Sequence, residues 1–174
     1  MSLFVFLDLD GVLNTESSQR YWSIVDPEHS AIKLDSEAVE NLNIIMKMYE
    51  PKLVISSTWR LQFKPAILKE ILLANGLHIP RPEELDITPH HPPIGSEQGR
   101  GNEILAWLKN NGSPEHYLVI DDESFDIREQ IPKEHTCFVT GGWHGHGFSK
   151  WHVKHAIEKL DKMGVPQCPQ CPQC

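Results

Sequence analysis

"FLDLDGVLN", residues 6–14, closes the apolar run that starts at Leu3 and delivers it directly into Asp8, Leu9, Asp10 and Gly11. A short run of β-prone apolar residues that stops at charge reads as a strand buried on both faces, the kind found in parallel sheets. Carried on at the strand's two-residue period, Asp8 and Asp10 point to one side about 6–7 Å apart, and at an effective dielectric near 20 they repel by roughly 2.5 kcal/mol. The stretch therefore predicts a core strand that aims carboxylates at something able to neutralise them.

Working outward, Thr15 to Lys33 reads as polar and irregular. Leu34, Val39, Leu42, Ile45, Met46 and Tyr49 then recur at helical spacing behind an Asp35 or Ser36 cap, and Pro51 ends that helix. "KLVI" (52–55) is a second buried strand, stopping at "SSTWR". A helix is predicted over 65–74 with Gly76 as its stop, and "EELDITP" (83–89) is a weak strand candidate. A helix over 102–109, a strand "HYLVI" (116–120), a strand "TCFVT" (136–140) and a helix capped by Ser149 complete the order βαβαβαββα. Alternation of this kind predicts an α/β fold: a Rossmann-like three-layer α/β/α domain with a mostly parallel five-stranded sheet, right-handed crossovers and helices on both faces.

The 174 residues suit one domain, and 40% hydrophobic content is enough for a core. A formal charge of −8 gives no basic field for nonspecific polyanion binding, so any nucleic-acid contact is expected to be local. The N-terminus lacks a basic n-region and no run approaches a membrane span, which together suggest no membrane partner and a cytoplasmic location. Residues 1–164 are expected to form the domain. The repeat "PQCPQCPQC" (166–174) holds Cys168, Cys171 and Cys174, one ligand short of a structural zinc site, and 165–174 reads as a low-complexity tail outside the fold.

In open α/β sheets ligands sit beyond the carboxyl ends of the strands, where Asp8, Ser56 and the Asp121–Asp122 pair all fall. An Asp-x-Asp-Gly alone is usually a turn, Ser-Ser-Thr a helix cap and Asp-Asp a solvated loop. Their convergence on one sheet edge points instead to a bound cation. All-oxygen ligands select a hard ion, and Mg²⁺ with retained waters fits two carboxylates plus a carbonyl.

"FLDLDGVLN", "VISSTWR", "GRGNEILAWL" and "YLVIDDESFD", in that order, resemble the four motifs of the haloacid dehalogenase-like (HAD) phosphohydrolases, and more narrowly the HAD domain of Swiss Army Knife RNA repair proteins. The resemblance runs over about residues 3–160. It implies that Asp8 is the nucleophile forming an aspartyl-phosphate and Asp10 the general acid/base, whose presence disfavours dehalogenation. It implies Mg²⁺ held by Asp8, Asp122 and the backbone carbonyl of Asp10, with Asp121 and Asp126 orienting the metal's surroundings. Ser56, with Ser57 beside it, is implied to bind the transferring phosphoryl. Arg100 stands where the family usually has lysine, with Arg60 or Lys64 as substitutes.

His144 and His146 in "GGWHGHG", like His90 and His91, read as mobile surface more readily than as ligands. Neither 15–33 nor 61–99 has length to spare for a cap domain, so the domain is expected to be capless and its site open. The expected substrate is a phosphorylated nucleic-acid end or nucleotide, with Trp22, Trp59 and Trp143 as candidate stacking platforms. A small metabolite or phosphoprotein is the alternative substrate. A noncatalytic phospho-acceptor module is a further alternative; motif order argues against it, because a receiver places its acceptor aspartate on a later strand, where this chain has Ser56.

Overall fold

The computed structural model describes residues 2–90, 99–122, 125 and 127–169. Its element order is β1 (Phe4–Leu7), α1 (Glu16–Val25), α2 (Ser36–Tyr49), β2 (Lys52–Ile55), α3 (Pro65–Ala74), β3 (Asp86–Ile87), α4 (Arg100–Asn110), β4 (Tyr117–Asp121), β5 (Thr136–Phe138) and α5 (Lys150–Lys162). The five strands form one sheet in the order β3-β2-β1-β4-β5, and every pairing is parallel. This is the Rossmann-like α/β architecture that the alternation predicts. None of the helices in the described residues is long and apolar enough to cross a membrane.

The runs Phe4–Leu7, 53–55 and 117–120 of β1, β2 and β4 are apolar because both faces of the central strands are covered. Val5 and Leu7 of β1, Leu53 and Ile55 of β2, and Leu118 and Ile120 of β4 bury into one core with α2, α3 and α5. Phe6, Val54, Tyr117 and Val119 face the other way, onto Ile104, Trp107 and Leu108 of α4. Phe6 and Trp107 meet edge to face at 5.2 Å. The α2 stripe works as read: Asp35 caps it by accepting from Ala38 N at 3.0 Å, and Glu50 ends it in the left-handed region at φ 46° before Pro51.

The stretch from Thr15 to Lys33 is not irregular. It holds α1, whose entry is closed by a reciprocal cap: Ser18 N donates to Thr15 Oγ1 at 3.2 Å and Thr15 N donates to Ser18 Oγ at 3.0 Å. Only Ser18 of this helix is buried, so there is no apolar stripe to read. The helix is held by Gln19 Nε2, which donates to the carbonyls of Ser30 and Lys33, and by Trp22 Nε1, which donates to that of Leu34. Two further boundaries move. Helix α4 begins at Arg100 rather than 102, and β5 ends at Phe138 rather than 140. Val165 is buried in the core beside α5, and Cys168 N donates to Met48 O at 2.7 Å.

Candidate active site

Register assembles the site. Leu7 pairs with Ile55 on one side and Ile120 on the other, so the next residue of each strand, Asp8, Ser56 and Asp121, falls in one row at the carboxyl edge. Side chains alternate along a strand, and these three share the parity of Phe6, Val54 and Val119, whose face is covered by α4. The first residue of α4 is Arg100, and its guanidinium meets them: Nη1 lies 2.9 Å from Asp8 Oδ2 and 2.6 Å from Asp121 Oδ2.

Oxygens of Asp8, Asp121 and Asp122 lie within 4.8 Å of one another. Asp8 and Asp121 are buried and Asp122 half-buried. Asp121, expected to orient the metal's surroundings, has a carboxylate oxygen within this cluster. Gly11 makes room for Asp122: with φ +77°, it leaves space in which an added Cβ would stand 2.1 Å from Asp122 Oδ2.

The period-two placement of Asp10 is corrected by the backbone. Strand β1 ends at Leu7, and the N–H groups of Val12, Leu13 and Asn14 all donate to the Leu9 carbonyl at 2.8–3.2 Å, curling the chain into a tight loop. Asp10 leaves the carboxylate cluster as a result. Its side chain accepts from Trp59 Nε1 and from Asn14 Nδ2 instead. Trp59, named above as a stacking platform, is buried with its indole N–H turned inward to Asp10. Trp22 is likewise committed, with Lys33 Nζ 5.2 Å above its ring.

Arg60 does not reach the carboxylates. Its Nη1 donates to the carbonyls of Ser56 (2.8 Å) and Ser57 (2.7 Å), its Nε to that of Thr88 (3.2 Å), and its Nη2 pairs with Glu103 of α4. It ties the β2 loop to β3 and α4. Lys64 is exposed at the start of α3. His144 Nδ1 pairs with Glu16 at 2.8 Å and His90 Nδ1 with Glu103 at 3.3 Å, and both rings are on the surface. Asp126 and His91 lie outside the described residues.

Burial pushes the Asp8 carboxyl above its usual range, while the Arg100 charge, the Ser57 hydroxyl and the Leu9 amide pull it back only in part. Burial likewise works against the Arg100 charge, but Asp8 and Asp121 outweigh it and hold the guanidinium firmly protonated. Three carboxyl groups face one guanidinium, so the cluster holds more acidic groups than that one cation pairs with. Asp8 Oδ1 and Ser56 Oγ are buried with no hydrogen-bond partner among the described residues. Buried polar atoms are normally satisfied, and these two stand in one row at the carboxyl edge of the sheet with hydrogen-bonding capacity to spare. The donor set, three carboxyl groups offering only oxygen, fits a hard divalent cation such as Mg²⁺.

A family model described as "HAD domain in Swiss Army Knife RNA repair proteins" matches residues 4–152, a span that holds every element from β1 through the first turn of α5. No curated protein and no solved structure matches the chain.

Proposed function

We propose, on the premise that the chain belongs to the family of HAD domains in Swiss Army Knife RNA repair proteins, that it is a phosphatase working through an aspartyl-phosphate on phosphorylated nucleic-acid ends or nucleotides. The observation that carries the reading is that two orphaned buried atoms, Asp8 Oδ1 and Ser56 Oγ, belong to adjacent strand ends at a carboxylate cluster spanned by Arg100.

Asp8, Asp121 and Asp122 would hold Mg²⁺, which when bound supplies the positive charge that screens the approach of a carboxylate to a phosphate dianion. The remaining chemistry belongs to the chain. Asp8 attacks phosphorus, the bond to the leaving oxygen breaks, and Asp10 delivers a proton to that oxygen. Water then gives its proton to Asp10 and attacks the same phosphorus, releasing phosphate and restoring Asp8. Ser56 donates to a phosphoryl oxygen. Arg100 holds the second oxygen of Asp8 and stands ready to offset charge on the transferring group.

The substrate class rests on the RNA-repair setting of the family and on the modest insertion between β1 and α2, which is one ten-residue helix and a short turn. An open site suits a bulky polynucleotide end. The test is phosphate release from 3′- and 5′-phosphorylated oligonucleotides, mononucleotides and 4-nitrophenyl phosphate, with and without Mg²⁺. Wild type is expected to turn over the oligonucleotides and Asp8→Asn to release nothing, with a hydroxylamine-sensitive acyl-phosphate trapped on wild type alone. Equal release by both proteins overturns the mechanism. Turnover confined to 4-nitrophenyl phosphate overturns the substrate class.

A further inference from the structure

The Asp10 carboxylate is held by two side-chain donors from different loops. Trp59 Nε1 donates to both oxygens of Asp10 at 3.0 Å, and Asn14 Nδ2 donates to Oδ1 at 2.6 Å. Both donors are themselves fixed. Trp59 is 6% exposed, sits in the turn Thr58–Leu61 behind a Ser57 cap, and packs on Phe63 with ring centroids 5.9 Å apart. Asn14 closes the loop after β1, its carbonyl accepting from Gly11 N at 2.6 Å and its side chain buried.

The two oxygens of Asp10 are left unequal. Oδ1 accepts from two N–H donors and Oδ2 shares one. We propose that Trp59 and Asn14 are positioning residues that together hold the Asp10 carboxylate in the one orientation its role in the reaction requires. The inference rests on the reading of Asp10 as general acid/base given above. In the step it serves, the bond from phosphorus to the leaving oxygen breaks, its electron pair stays on that oxygen, and the proton on the Asp10 carboxyl is transferred there.

An acid matters in proportion to how poor the leaving group is, which separates alignment of Asp10 from general support of the fold. The experiment measures kcat/KM for phenyl, 4-nitrophenyl and 2,4-dinitrophenyl phosphate with wild type, Trp59→Phe, Asn14→Ala, Asp10→Asn and the Trp59→Phe/Asp10→Asn double variant, with thermal unfolding of each. General acid catalysis is worth about 10²–10⁴-fold, so a misaligned acid is expected to cost Trp59→Phe about 10-fold or more on the phenyl ester. The loss on the dinitrophenyl ester is expected to be much smaller. In the Asp10→Asn background, Trp59→Phe is expected to add nothing on any ester, as for two residues acting through one group.

Equal losses by Trp59→Phe on all three esters, or the same loss with and without Asp10, overturn the positioning role while leaving Asp10 as acid. Equal losses on all three esters by Asp10→Asn itself overturn the acid reading and the inference with it. Should Trp59→Phe fail to fold, Asn14→Ala carries the same comparison, and an Asn14→Ala that loses nothing on the phenyl ester overturns the proposal.

Discussion

Gly11 and Asp122 occupy space that only a glycine can share: a Cβ at position 11 would sit 2.3 Å from Asp122 Cγ and 2.8 Å from its Cβ. The first and fourth motifs are thereby interlocked, backbone of one against side chain of the other. Glycine is required here on two counts, the close approach and the left-handed φ of +77°.

Gly11→Ala is expected to lose about 1–2 kcal/mol from the left-handed backbone alone and to displace the Asp122 carboxylate as well. Gly76 is the control, since its φ is +84° but nothing lies within 4 Å of an added Cβ. Both alanine variants should lower the midpoint of urea unfolding. Only Gly11→Ala should weaken Mg²⁺ binding in a calorimetric titration.

Removing the guanidinium that bridges Asp8 and Asp121 leaves buried carboxylates facing one another. Breaking a buried ion pair from one side typically costs about 3–5 kcal/mol. Arg100→Met is expected to lose stability on that scale in urea titrations without Mg²⁺ and to recover part of it with Mg²⁺, because a second cation then balances the cluster. Arg100→Lys should fall between, keeping the charge without the planar fork.

Mg²⁺ is expected to stabilise the wild-type protein. A ligand at 100 times its Kd contributes about 2.7 kcal/mol, which thermal unfolding reads as a clear rise in Tm that a chelator reverses. Asp121→Asn and Asp122→Asn should each shrink the rise. Asp86→Asn should not, since Asp86 accepts from Trp107 Nε1 at 2.8 Å and lies outside the cluster.

His152 sets a pH dependence away from the site. Burial lowers its pKa below the ordinary 6.5, with His155 adding to the shift. In the window just below 6.5 the unfolded chain therefore holds more protons than the folded one, and stability rises with pH across it. The contribution is full above 6.5 and is lost as pH falls through the folded value. His152 Nδ1 also accepts from Ser149 N at 3.0 Å, so its ring is part of the cap of α5 as well as being buried. Urea midpoints compared at pH 7.5 and pH 5.5 should fall less steeply in His152→Gln than in wild type.

Strands and long helices were legible where burial imposes a period. The α2 stripe and the apolar runs of β1, β2 and β4 are there because each faces a core. Helix α1 was not legible, since it buries only Ser18 and is held by caps and by hydrogen bonds from Gln19 and Trp22. The start of α4 was hidden because Arg100 and Gly101 carry no helical signal of their own, yet that start is what aims Arg100 at the cluster.

By itself, the sequence determined the parallel α/β order and the row of Asp8, Ser56 and Asp121, because chain spacing along a buried strand decides which residue comes next at its carboxyl edge. Tertiary structure alone decided what those side chains touch. Whether Asp10 joins the other carboxylates or turns to Trp59, and whether Asp121 stands inside or behind the cluster, depends on how a loop curls and where a distant helix begins. Those are balances of hydrogen bonding and packing among residues far apart in the chain, and no local pattern encodes them.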